Sequence, residues 1–152
     1  MMNNFYITSG VGSGQTELNS FDCALFNSGV ANYNLVRISS ILPPDSEEHT
    51  SVCLNEGAIL HTAYASISSN ISNKTISAAI AVGIPTDSAK IGVIMEFSGF
   101  CTKDVALEKV SNMVKDAMRL RGYQLKELKT SVREIFSNGD GYVTAFAGIA
   151  IW

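Results

Sequence analysis

The stretch NYNLVRISSILPP, residues 32–44, is the most informative part of this sequence. Its leucine and β-branched side chains favour a strand over residues 32–42, and Pro43-Pro44 ends it because proline cannot donate to a ladder. Alternation predicts that one face of this strand carries Val36, Ile38, Ser40 and Leu42. Ser40 would then lie in an apolar row, where a hydroxyl has either a hydrogen-bond partner in the sheet or a chemical role. The strand pattern alone leaves both interpretations open.

The composition is typical of one globular domain with a hydrophobic core. The chain has 152 residues, of which 46% are hydrophobic, enough to bury a core of ordinary size. Its 11 basic and 14 acidic side chains give a net charge of -3. No basic stripe is present, which argues against nucleic-acid binding. We therefore expect a single domain over residues 1–152 that binds no nucleic acid.

Targeting signals and metal motifs are not recognisable in the sequence. No charged segment precedes an apolar run at the N-terminus, and no run reaches the ~18 residues of a membrane helix. The three cysteines are widely spaced without a CxxC pair, and there are only two histidines. This pattern argues against a disulfide framework and against a metal site. We expect a cytoplasmic protein with no membrane contact and no bound metal.

The order of predicted elements indicates an α+β fold. One helix is capped by Thr16 and runs to about Asn27, and a second opens at Thr102 and ends before Gly122. The predicted strands cover residues 5–8, 32–42, 57–68, 75–85, 91–98, 124–136 and 142–151. The resulting order, β-α-β-β-β-β-α-β-β, predicts a layered αββα sandwich with both helices packed on sheet faces.

Two acidic residues interrupt apolar patterns. Asp22 falls within the predicted apolar stripe of the first helix, which consists of Leu18, Phe21, Leu25 and Phe26. Glu96 lies in the middle of the strand IGVIMEFS, residues 91–98. Burying an unpaired carboxylate is costly, so such residues often belong to a site or an interface. The alternatives are the edge of the stripe for Asp22, and a strand end or an open sheet face for Glu96.

Common catalytic motifs do not match this chain. The glycine-rich segment SGVGSGQT, residues 9–16, has neither GxGxxG spacing nor a phosphate-loop lysine, so it is predicted to be a loop leading into a helix cap. No GxSxG elbow is present for a serine triad. No lysine stands in an apolar setting that would suit pyridoxal phosphate.

The Ser39-Ser40 pair offers a different chemistry. The Ser40 hydroxyl can attack the preceding carbonyl and convert the amide to an ester. β-Elimination then releases the upstream chain, and hydrolysis of the resulting dehydroalanine leaves a pyruvoyl ketone and ammonia. Such a ketone forms a Schiff base with a substrate amine and acts as an electron sink, as pyridoxal does. A serine just before the rigid Pro43-Pro44 turn suits this chemistry.

Several stretches resemble the small pyruvoyl-dependent arginine decarboxylases. They are TELNSFDCALFNSGVANYNLVRISSILPP (residues 16–44), GAILHTAYASI (57–67), TISAAIAVGIP (75–85), GVIMEFSGFCT (92–102) and the closing FAGIAIW (146–152). The motif NxNLxRxSSIxPP in the first stretch is the specific part. The resemblance implies self-cleavage between Ser39 and Ser40, which gives a β chain of residues 1–39 and an α chain of residues 40–152. It also implies a trimer of αβ units with sites between subunits.

The same resemblance implies roles for individual residues. Ser40 would become the covalent pyruvoyl group, and Asn34 would assist at the cleavage site. Asp22 would hold the substrate guanidinium, and Glu96 would return a proton to the substrate. The implied reaction converts L-arginine to agmatine and CO2 without pyridoxal phosphate or a metal. Two alternatives stay open: a pyruvoyl decarboxylase of another basic amino acid, and an uncleaved, non-catalytic assembly subunit.

Overall fold

A computed structural model describes residues 3–152 as two helices packed on two β-sheets. In chain order the elements are β1 (Asn4–Gly14), α1 (Glu17–Asn27), β2 (Asn34–Arg37), β3 (Ile41–Leu42), β4 (Glu47–Glu48), β5 (Ile59–Ser69), β6 (Lys74–Pro85), β7 (Gly92–Gly99), α2 (Lys103–Leu120), β8 (Leu125–Ser137) and β9 (Tyr142–Ile151). The sheets have the orders β2-β5-β9-β1-β4 and β3-β7-β6-β8. The predicted α+β sandwich is confirmed.

Three apolar clusters correspond to the three interfaces between the layers. Ile94 and Ile149 belong to the largest cluster, which lies between the two sheets. Val114 of α2 packs on the outer face of the four-stranded sheet. Ala24 of α1 packs with Phe146 on the outer face of the five-stranded sheet. The helices therefore cover opposite faces of a sheet-on-sheet core, which is an αββα arrangement.

Helix α1 approaches β1 closely because the facing residues are small. A Cβ atom added at Gly12 would lie 2.4 Å from the backbone nitrogen of Ala24, and one at Gly10 would lie 2.3 Å from Ser28 Oγ. Both distances are too short for any larger residue. The prediction of a loop over residues 9–16 is therefore wrong, because residues 9–14 continue β1 as a strand. The glycines of this strand leave the space in which α1 packs.

The apolar stripe predicted for α1 is also wrong for two of its four members, whereas Leu25 is buried and Phe21 packs against the same cluster. The helix buries Ser20, Ala24 and Leu25, whereas Leu18 is 74% exposed and Phe26 is 72% exposed. Hydrophobic spacing failed here because the buried face of α1 consists mainly of small residues. Two of the bulky side chains, those of Leu18 and Phe26, lie instead on the outer face.

The single strand predicted over residues 32–42 is wrong. β2 ends at Arg37 and pairs in parallel with β5, whereas β3 begins at Ile41 and pairs antiparallel with β7. The two strands belong to different sheets, so Ser39 and Ser40 lie in the crossing between them. The alternation of apolar residues continues through residues 38–42, so the sequence pattern does not show where the chain changes from one sheet to the other.

The other predicted elements agree well with the structure. Both helices and the strands β5 to β9 differ from their predicted bounds by at most two residues at either end. Neither helix in residues 3–152 combines the length and the apolar character needed to cross a membrane.

Candidate functional site

Two backbone hydrogen bonds hold Ser40 where the chain crosses between the sheets. The Ile41 N–H donates to the Ser39 carbonyl oxygen, with an N–O distance of 3.0 Å. This bond closes a three-residue turn centred on Ser40. The Ser40 carbonyl oxygen accepts from the Ile94 N–H at 2.9 Å, which attaches the turn to β7. Ser40 is thereby placed, half-buried, at the edge of the four-stranded sheet.

Glu96 reaches Ser40 from the middle of β7. Met95 and Phe97 pack against α2, whereas Ile94 lies in the core between the sheets, so alternation directs Glu96 towards the inter-sheet layer. The Ser40 hydroxyl donates to Glu96 Oε2 at 3.3 Å. The Glu96 side chain is 23% exposed. The carboxylate therefore lies at the open seam of the sandwich and not at a strand end.

Arg37 is a charged neighbour of Glu96 that the sequence analysis did not identify. Its Nη2 lies 3.8 Å from Glu96 Oε1 and donates to the Tyr64 carbonyl oxygen at 2.8 Å. The guanidinium carbon lies 4.8 Å from the centroid of the Tyr64 ring. Tyr64 therefore fixes Arg37 in place. Because the arginine side chain is 59% exposed, its ion pair with Glu96 is screened by solvent.

Asn34 is not brought together with Ser40 within one chain. It is the first residue of β2, and its Nδ2 donates to the Gly57 carbonyl oxygen at 2.7 Å. This bond ties the start of β2 to the segment that precedes β5. Ser40 lies beyond the opposite end of β2, so a single chain leaves Asn34 away from the Ser40–Glu96 pair.

Asp22 is also separate from Ser40 in the single chain. It is exposed on α1, and none of the ion pairs in residues 3–152 includes it. Leu18 and Phe26, four residues before and after it, lie on the same side of the helix. Both are largely exposed. An acid between two exposed bulky apolar residues is typical of a protein–protein contact.

Comparison with known proteins identifies the family. A family model for pyruvoyl-dependent arginine decarboxylase matches residues 4–151. The chain is 41% identical over 150 residues to the pyruvoyl-dependent arginine decarboxylase of Methanocaldococcus jannaschii, an alignment covering 99% of this chain and 90% of that relative. It is 42% identical over 131 residues to the enzyme of the same name from Thermococcus kodakarensis, covering 86% and 83%. The chain belongs to the pyruvoyl-dependent arginine decarboxylase family, as the sequence motifs indicated.

Proposed function

We propose that this chain decarboxylates L-arginine to agmatine and CO2, using a pyruvoyl group made from its own Ser40. The observation that carries the proposal is the 3.3 Å hydrogen bond from Ser40 Oγ to Glu96 Oε2 at the sheet seam. It supports a site where the reactive group and an acid are neighbours. The names of the relatives indicate arginine as the substrate.

The residues around Ser40 fit the formation of such a group. The turn holds the Ser39 carbonyl oxygen through the Ile41 N–H, and the Ser40 carbonyl oxygen attaches the turn to β7. Cleavage of the Ser39–Ser40 bond would divide the domain into a β chain of residues 1–39 and an α chain of residues 40–152. Once formed, the pyruvoyl group supplies a ketone that takes up the substrate amine and draws electrons from the α-carbon as CO2 leaves.

Glu96 is the residue we assign to proton transfer. Its Oε2 accepts from Ser40 Oγ, which is two bonds from the Cα that would become the ketone carbon, so a proton on Oε2 would have a short path to the substrate α-carbon. Arg37, held by Tyr64, keeps the second carboxylate oxygen on the other side. This arrangement would direct Oε2 of Glu96 towards the substrate bound at position 40.

Asp22 is assigned to the substrate guanidinium, from a neighbouring subunit in a trimer of αβ units. A carboxylate can accept two parallel hydrogen bonds from a guanidinium, which orients the substrate as well as binding it. The support is the presence of two exposed apolar surfaces. One surrounds Asp22 on α1, and the other consists of Val36 and Ile59, which are exposed on the paired strands β2 and β5 at the edge of the five-stranded sheet.

Contact between these two different surfaces would be head-to-tail, and head-to-tail contacts close into rings when the rotation allows. Such a ring would bring Asp22 of one subunit to Ser40 of the next. Within one chain the Asn34 amide donates to the Gly57 carbonyl oxygen, so Asn34 would assist cleavage only in the same assembly.

We assign the reaction to the cytoplasm, where three unpaired cysteines are the expected state.

The intact mass of the purified protein under denaturing conditions tests the proposal. Two species divided after Ser39, the larger with a ketone-reactive start, are expected, together with release of CO2 from arginine. Competition among arginine, lysine and histidine tests the substrate. A chain that stays whole after long incubation would instead favour a non-catalytic assembly subunit.

A further inference from the structure

We infer that the backbone N–H of Ile41 is the oxyanion donor for self-cleavage of the Ser39–Ser40 bond. This inference rests on the proposed function and assigns a group to its first step. The N–H already donates to the oxygen of the bond to be cleaved, the Ser39 carbonyl, at 3.0 Å. That oxygen is the atom on which negative charge develops when a hydroxyl attacks the carbonyl carbon.

The register of β3 explains why this N–H is available. Ile41 is opposite Val93, while the Ile94 N–H bonds to the Ser40 carbonyl oxygen. In an antiparallel ladder this makes Ile41 and Val93 a non-hydrogen-bonded pair, so the Ile41 N–H points away from β7. Because β3 is the outer strand of its sheet, no further strand accepts from it. The N–H turns back to Ser39 instead.

The turn also controls the backbone at Ser40. Among non-glycine residues in the described chain, only Asp45 and Asn73 have positive φ, so Ser40 has negative φ and the turn is the unstrained inverse type. The Ser40 N–H has no backbone acceptor within residues 3–152. The Ser40 nitrogen, which belongs to the bond to be cleaved, is thus free to change geometry. The Ser39 carbonyl oxygen of the same bond is held by the Ile41 N–H.

The step balances without any added reagent. Ser40 Oγ forms a bond to the Ser39 carbonyl carbon, and the negative charge on the Ser39 oxygen is stabilised by the Ile41 N–H. The bond from that carbon to the Ser40 nitrogen then breaks, and the proton lost from Oγ ends on the nitrogen as an amine. β-Elimination follows: the Ser40 Cα loses its proton to solvent water, the electron pair forms the Cα–Cβ double bond, the Cβ–O bond breaks, and Ser39 leaves with a carboxylate.

Backbone ester substitution tests this donor directly. Incorporating the α-hydroxy analogue of isoleucine at position 41 replaces the N–H by an oxygen and keeps the side chain. The same replacement at position 94 is the matched control, because it removes the donor to the Ser40 carbonyl but leaves the Ser39 carbonyl bonded. Full-length precursors are made by cell-free translation with pulse labelling, and the division after Ser39 is followed by denaturing mass measurement.

We expect the ester at position 41 to slow division by about 100-fold, the usual effect of losing one oxyanion donor. The ester at position 94 should slow it by less than about 10-fold, since it affects only placement of the turn. Equal slowing at both positions, or normal division at position 41, overturns the assignment while leaving the proposed function intact. A wild-type chain that never divides overturns both. Circular dichroism of each precursor checks that the comparison is between folded proteins.

Discussion

Ser40 and Glu96 are hydrogen-bonded at the edge of the four-stranded sheet, with Ser40 Oγ donating to Glu96 Oε2 at 3.3 Å. Glu96 comes from the middle of β7, and Ser40 comes from the crossing between β2 and β3. The contact is possible because β3 pairs with β7 immediately after the crossing. The switch between sheets therefore creates the candidate site, since an uninterrupted strand would leave Ser40 in the ladder of one sheet.

Replacing Glu96 by glutamine separates cleavage from turnover. Glutamine keeps the size of the side chain and an oxygen that accepts from Ser40, but its amide has no acidic proton to return to the substrate. We expect division after Ser39 to proceed as in the wild type, while kcat falls 100-fold or more, as is typical for loss of a general acid. Denaturing mass and CO2 release measure the two effects. Glu108→Gln on the exposed face of α2 is the matched control, and full activity of Glu96→Gln would remove Glu96 from the mechanism.

The Asp22→Asn variant tests recognition of the guanidinium. A hydrogen bond to a charged group contributes about 2 kcal/mol, so KM for arginine should rise about 30-fold. We expect kcat to change much less, because the guanidinium is far from the bond that breaks, and division after Ser39 to be normal. Asp104→Asn, an exposed acid at the start of α2, serves as the control. An unchanged KM would show that another group binds the guanidinium.

Arg37 provides a test of how Glu96 is positioned. Arg37→Ala removes the contact to Glu96 Oε1 and the hydrogen bond to the Tyr64 carbonyl. Because the pair is exposed, its loss should cost no more than about 1 kcal/mol, or about 5-fold in kcat, with little change in KM. Arg37→Lys, which keeps the charge but not the planar fork, should lie between the wild type and Arg37→Ala. A larger effect on KM than on kcat would assign Arg37 to substrate binding instead.

The close approach of α1 to β1 predicts a stability effect far from the site. A methyl group at Gly12 would meet the backbone of Ala24 at 2.4 Å, which no side-chain rotation can relieve. We expect Gly12→Ala to lower the free energy of unfolding by about 1–3 kcal/mol, the usual cost of overpacking. Urea unfolding is measured in the Ser40→Ala background, which lacks the hydroxyl that the proposed division requires and should therefore give a single species. Ser13→Ala, at the neighbouring exposed position, should change stability little.

The sequence predicts the regular elements of this protein better than it predicts how they meet. Helix caps and apolar periodicity located both helices, and interrupted periodicity identified Asp22 and Glu96 as unusual. The crossing at Ser39-Ser40 was missed because alternation depends only on local spacing, whereas sheet membership depends on distant pairing partners. Arg37 was missed for the same reason, since its partners Tyr64 and Glu96 lie on other strands. Ser20 and Ala24 on the buried face of α1 were missed because small residues carry little hydrophobic signal.

Charged substitutions on α1 test the proposed assembly. Leu18→Lys and Phe26→Lys place a charge on each side of Asp22, on the surface that would contact the neighbouring subunit, without touching the core of one chain. We expect the double variant to stay folded but to lose the trimer in light scattering, and to lose arginine turnover because Asp22 no longer meets Ser40 of the next subunit. Leu120→Lys is a demanding control, since Leu120 is 85% exposed at the end of α2 and lies outside both surfaces. Should the double variant remain trimeric and active, α1 is not the contact, and Asp22 cannot act across a subunit boundary.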